Sequence, residues 1–167
     1  MYTMFVNSDT ANKLAKNLSM EIERINQNEN ESLTYRYAPD ETPIIPEYNF
    51  METQKLMAEK NQELAHIRHA IANFNQNTTV KAAGKTWTID EALARMRYLQ
   101  TRKTKLNEML TIQAISRTSG IGNRQPEIIR RNFDKTEVQM AYDSITSQLM
   151  ELQSAVNTAN LTLNFEV

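Results

Sequence analysis

The residues with the most chemistry in them stand close together, at Glu59, Glu63, His66 and His69. Glu63 and His66 are three apart, which on a helix puts both side chains on one face. Di-iron carboxylate bundles use Glu-x-x-His twice, with a further Glu from each of two other helices. A metal site on Glu63 and His66 is therefore one candidate. Against it, the chain has only 2 His, and both lie in this stretch, so the second Glu-x-x-His is missing. In the register set by Leu64 and Ile67, His66 and His69 also fall on the outward face, whereas a di-iron site points inward. The reading favoured is a solvated helix face, and no cofactor is implied.

A second candidate is basic. Arg95, Arg97, Arg102, Lys103 and Lys105 occur with no acid between Glu91 and Glu108, and Tyr98 interleaves. Arg95, Arg97, Arg102 and Lys105 could grip phosphates of a nucleic acid. These residues spread around the helix, however, and Glu52, Glu59 and Glu63 are expected to pair with them. Ser119 to Arg124, with Gly120 and Gly122, could form a small anion nest, but the stretch lacks the spacing of a phosphate loop and reads as an ordinary loop. Tyr35, Tyr37, Tyr48 and Phe50 surround Pro39, Pro43 and Pro46. They offer either a docking surface for a ligand or peptide, or a loop packed over a sheet, and packing is favoured. The 2 His have no nucleophile set beside them, and 9 Met sit mostly at apolar-stripe or flanking positions, where they fill gaps.

Lys+Arg total 19 and Asp+Glu 20, for a net charge of −1, so there is no global pull toward nucleic acid or an anionic membrane. With no Cys, thiolate metal sites, thiol nucleophiles and disulfides are excluded. No stretch approaches the ~20 apolar residues needed to span a bilayer. Met1 to Thr10 has neither a basic n-region nor an apolar run, so the expected compartment is the cytoplasm. A length of 167 residues fits one domain, 1–167, able to bury a core without staples.

The elements that must position these side chains are helices. Ala11, Leu18 and Ile25 recur every seven residues over Ser8 to Asn28, with Ser8 or Asp9 as N-cap. Phe50, Met57, Leu64 and Ile71 do the same over Phe50 to Phe74, joined by Ile67 and Phe74. Ala92, Leu99 and Leu106 mark a third helix, Ile89 to Ile115, with a Thr88–Glu91 capping box and Lys103 interrupting its other apolar row. Val138, Ile145, Leu152 and Ala159 mark a fourth, Lys135 to Ala159, capped by Asp134 and Glu137. Helices of this length favour an extended antiparallel, coiled-coil-like bundle of about four helices. Val80 to Ala82 and Thr86 to Ile89 read as a β-hairpin about Gly84, at the tip between the second and third helices. Leu33 to Tyr37, Ile128 to Phe133 and Leu161 to Val167 are strand candidates, expected to meet in a small antiparallel sheet at the other end.

The run Glu63 to Asn77, followed by Gly84–Lys85–Thr86–Trp87–Thr88–Ile89–Asp90–Glu91–Ala92–Leu93–Ala94–Arg95, resembles the septicolysin-like family of small bacterial helical proteins. That family has a similar helix ending in Ile-Asn-x-x-Asn and a Gly-x-Thr-Leu-Thr-x-Ala-Leu-Ala-Arg turn into the next helix. Leu152–Gln153 to Asn160–Leu161–Thr162 is similar to its closing motif. The likeness covers some two-thirds of the chain. It departs from the pattern at Ala72 to Asn75 and in the tyrosine-rich segment. The resemblance implies a fold and assigns no activity, cofactor or site residue.

The resulting expectation is a mainly α, non-enzymatic interaction or scaffold protein that self-associates into a homo-oligomer. Helices this long with an apolar stripe cannot easily bury it within one small monomer. A metal-dependent helical-bundle enzyme and a nucleic-acid-binding helical protein are the alternatives.

Overall fold

A computed structural model describes residues 3–118 and 125–167. The chain is mainly helical, with four helices and three two-stranded antiparallel sheets among the described residues. The order is β1 (Phe5–Asn7), α1 (Ser8–Ser32), α2 (Phe50–Asn77), β2 (Thr79–Ala82), β3 (Lys85–Thr88), α3 (Ile89–Thr111), β4 (Ile115–Arg117), β5 (Ile128–Arg130), α4 (Lys135–Thr162) and β6 (Asn164–Glu166). Packing divides the chain into two units, Met1–Asn77 with Ala159–Val167, and Thr78–Thr158. No helix among the described residues is long and apolar enough to cross a membrane.

In the first unit, α1 and α2 form an antiparallel pair, as cross-helix contacts from Ser19 to Arg68 and Glu21 to Lys60 require, and Glu29 near the end of α1 meets Tyr48 just ahead of α2. Ala11, Ala15 and Leu18 are buried against Leu64 and Ile67, so the seven-residue stripe points where its spacing says. The stripe fails at the start of α2, where Phe50 is 57% exposed. The cap of α1 is Asn7, not Ser8 or Asp9: its Oδ1 accepts from the Thr10 N–H at 2.9 Å while its Nδ2 donates to the Leu161 carbonyl at 3.0 Å. A longer amide side chain can do both, and Ser8 is left as the buried first helical residue.

The sheet of this unit is not the expected one. β6 pairs with β1, in the register Phe5↔Glu166, Val6↔Phe165 and Asn7↔Asn164. Met4 and Val167 exchange two backbone hydrogen bonds of 3.0 Å beyond it. Leu33 to Tyr37 forms no strand; Tyr35 and Tyr37 stack on each other with centroids 6.0 Å apart, both exposed. The C-terminal segment is integral, as its alternation suggests, but α4 continues to Thr162, which leaves Leu161 and Leu163 exposed. Only Phe165, stacked on Phe74 at 4.5 Å, and buried Val167 face inward.

In the second unit the expected hairpin is present, β2 against β3 with Thr79↔Thr88 and Ala82↔Lys85. Its two-residue turn places Ala83 at φ 51° and Gly84 at φ 71°, the left-handed pair that a type I′ turn demands. The hairpin rests on the start of α3, where Ile89 donates to the Thr78 carbonyl and the Thr88–Glu91 capping box forms as expected. α3 stops at Thr111, four residues short of expectation, because the chain turns extended at Ile112 and Ile115–Arg117 pairs as β4 with β5. α3 and α4 lie antiparallel: Arg95 Nη2 reaches Gln148 at 3.4 Å, and Lys103 Nζ lies 5.5 Å over the Tyr142 ring. That stacking explains how Lys103 interrupts an apolar row without harm. Ile89, Ala92, Leu99 and Leu106 are buried, as are Val138, Leu149, Leu152 and Val156.

Candidate functional site

The most developed concavity lies within the first unit, along the outer edge of the α1–α2 pair. It encloses about 840 Å³. Leu14 and Leu18 of α1 and Ile67 of α2 form its floor, and Met4 and Val167 close one end through the β1–β6 ribbon. The helices put these residues there because Leu18 and Ile67 belong to the core stripe and partly buried Leu14 packs against it. The rim is polar. It carries Glu21 from α1 and Glu59, Glu63 and His66 from α2.

Lys60 ties the rim together. Its Nζ lies 3.1 Å from Glu21 Oε2, across the helices, and 3.9 Å from Glu63 Oε2. With its side chain 25% exposed, it is the most sheltered charge of the group. Glu59 pairs with Lys55 at 3.9 Å. Glu59 and Glu63 were expected to pair with the basic third helix; they pair along α2 instead, because a partner three or four residues away on the same helix is always within reach. The rim thus carries three carboxylates, two on the sheltered Lys60 ammonium and the third, Glu59, on exposed Lys55.

Glu63 and His66, the candidate metal ligands, both stand on this rim, and both are exposed, on the outward face as the register indicated. His69 is exposed too, with its ring Nε2 3.0 Å from the Asn73 amide nitrogen. Among the described residues no group of three or more His, Cys, Asp or Glu is placed to hold a metal ion.

The four basic candidates of α3 divide into two sets. Arg95 turns toward α4 and stacks on Tyr98, its guanidinium 5.1 Å from the ring centroid. Lys105 pairs with Glu108 at 3.2 Å. Arg97 and Arg102 are exposed, and their side chains enter no ion pair among the described residues. Ser119 to Arg124, the anion-nest candidate, lies outside the described residues.

Of the tyrosine and proline segment, Tyr48 is the anchored member. Its hydroxyl donates to Glu29 Oε1 at 2.6 Å, fastening the segment to α1. That hydrogen bond, reinforced by partial desolvation and the carboxylate charge, raises the Tyr48 pKa above its usual value. Ile44 and Ile45 stay exposed at 90% and 63%, so this part of the segment does not cover a sheet.

Sequence reasoning missed the groove. The signal was available in part: Leu18 belongs to the first stripe, Leu14 flanks it, and Glu21, Glu59 and Glu63 stand near it. The closing wall was not, because Met4 and Val167 meet through a strand pairing between the two ends of the sequence. No family model, curated protein or solved structure matches the chain.

Proposed function

We propose that this chain is a non-enzymatic interaction or scaffold protein that self-associates through its helical surface, and that it acts in the cytoplasm. The observation that supports this reading is the α1–α2 groove, with an apolar floor left open along a two-helix pair that buries only one stripe. Open apolar concavities bordered by polar residues are where proteins receive partners. Kinship with the septicolysin-like helical proteins is proposed on the same motif residues, which here form the β2–β3 turn and the capped start of α3. Sedimentation at micromolar concentration tests the self-association: a concentration-dependent rise in mass is expected, and a monomer throughout would overturn it.

A second reading has one observation in its favour, that Glu59, Glu63 and His66 line a single cavity. It makes the chain a metal-dependent helical-bundle enzyme with Glu63 and His66 as ligands. Elemental analysis of untagged protein decides, since that reading requires stoichiometric iron, manganese or zinc.

A further inference from the structure

Charge is divided unevenly between the two units. The first, 1–77 with 159–167, holds seven Lys and Arg against twelve Asp and Glu; the second, 78–158, holds twelve against eight. The near-zero total therefore conceals an acidic part and a basic part. The groove belongs to the acidic part: Glu21 lines it from one helix and Glu59 and Glu63 from the other, with Lys60 bridging Glu21 and Glu63 and Lys55 paired to Glu59.

The basic part carries a surface of the opposite form. On α3, Ala92, Leu99 and Leu106 face inward. Ala94, Tyr98, Thr101 and Lys105 follow at steps of four, three and four, which aligns them on the reverse side of the helix, and all four are exposed. Arg97 flanks this line on one side and Arg102 on the other. Tyr98 stands 58% exposed at the centre. The result is a ridge with an aromatic knob between two guanidinium groups that have no ion-pair partner among the described residues. Tyr and Arg are the side chains that most often dominate the energetics of an interface.

We propose that the α1–α2 groove of one copy of this chain receives the exposed α3 ridge of a second copy, with Tyr98 on the apolar floor and Arg97 and Arg102 against Glu21, Glu59 and Glu63. The inference rests on the self-association reading and names its interface. Two different surfaces meet, so the contact either repeats reciprocally across a two-fold axis in a dimer or runs head to tail into a ring or an extended chain. Helix-in-groove docking of this kind needs only a short row of anchors.

Charge reversal followed by mixing tests the pairing. Glu59, Glu63, Arg97 and Arg102 are all exposed, so Glu59→Lys/Glu63→Lys and Arg97→Glu/Arg102→Glu should both fold, which circular dichroism checks. By sedimentation at low salt, each double variant alone should associate about 10-fold or more weakly than wild type, because like charges then face each other. An equimolar mixture should recover association. The reversed ridge meets the reversed groove, and the native ridge meets the native groove. Tyr98→Ala should weaken association without changing charge, and high salt should weaken both wild type and mixture. If wild type associates and the mixture gains nothing over its components, the groove–ridge pairing is wrong while self-association stands. If wild type stays monomeric, both fail. If Arg97→Glu/Arg102→Glu loses binding to a nucleic-acid duplex while its self-association is unchanged, the ridge serves nucleic acid and the pairing is overturned.

Discussion

The β2–β3 hairpin and the β1–β6 ribbon carry the same antiparallel ladder and reach it by opposite routes. The hairpin is local. Two residues, Ala83 and Gly84, reverse the chain, and the strands are neighbours before they pair. The ribbon joins Phe5–Asn7 to Asn164–Glu166, and nothing near either strand names the other. What holds it is a set of contacts that exist only once the fold has formed. They are the Asn7 amide on the Leu161 carbonyl, the Met4–Val167 backbone pair, and Phe165 on Phe74. A local ladder depends on its turn; a distant one depends on what its side chains bury and on closure of a long loop.

Truncation after Ala159 should therefore have the largest effect of any single change. It removes β6, the buried Val167, the Phe165 ring and the acceptor for Asn7, and it uncovers Val6. The loss of two apolar side chains alone is worth about 3–6 kcal/mol. Thermal melting should show a large fall in Tm, and light scattering should show aggregation from the exposed apolar face. An unchanged Tm would mean that the ribbon contributes nothing and the comparison collapses.

Phe165→Ala isolates one part of that effect. The ring is half-buried and stacked on Phe74 with planes 21° apart. Its removal should cost about 2–3 kcal/mol by urea denaturation, of which the ring–ring contact is a minor share. Phe74→Ala combined with it should cost less than the sum of the two single changes, because the same contact is removed only once.

The contrast between local and distant order also sets what could be read from the residues in advance. The mainly helical class, the buried rows Ala92–Leu99–Leu106 and Leu64–Ile67–Phe74, the hairpin about Gly84 and the Thr88–Glu91 capping box depend on spacings under eight residues, and these were legible. Leu33 to Tyr37 alternates like a strand and is not one. Alternation says that one face can be buried, but a strand also needs an edge to pair with. The end of α3 was misplaced because Ile112 and Ile115 suit a helix stripe and a strand equally well, and pairing with Ile128–Arg130 decides between them. Of the site, the individual residues Glu63 and His66 were visible along with their outward direction. The groove they border was not, since its walls come from α1, α2 and both ends of the sequence.

The hairpin itself can be sharpened at its turn. Ala83 holds φ 51°, a left-handed backbone that a Cβ disfavours, and its N–H donates to Glu151 Oε2 at 2.8 Å. Ala83→Gly should relieve the strain and raise stability by about 0.5–1 kcal/mol, read as a higher urea midpoint. Glu151→Ala should lower stability by a similar amount by removing the acceptor. If Ala83→Gly destabilises instead, the turn is held in its conformation by packing, and its locality has been overstated.

The smallest expected effect concerns the start of α4, the most local feature of all. Asp134 caps the helix: its Oδ1 accepts from the Thr136 N–H at 2.6 Å and from the Glu137 N–H at 3.3 Å. The backbone hydrogen bond from Thr136, then that from Glu137, holds the Asp134 carboxyl below its usual value of 3.8, and Arg131 adds a weaker pull in the same direction. A carboxyl whose folded pKa is depressed contributes stability that is fully present above the unfolded value and is lost as the pH falls through the folded one. Asp134→Asn keeps an oxygen on the same two N–H groups but cannot ionise. At neutral pH the variant should therefore be slightly less stable than wild type, because the charge-assisted part of the cap is gone. That difference should shrink as the pH drops below about 4, where the carboxyl of the unfolded chain begins to protonate, and go on shrinking until the folded carboxyl protonates too. Urea midpoints of the two proteins at neutral pH and at about pH 3 measure it. A gap that stays constant, or widens, toward acid would show that the charge at Asp134 plays no part in starting the helix. The cap would then be a matter of hydrogen-bond shape alone.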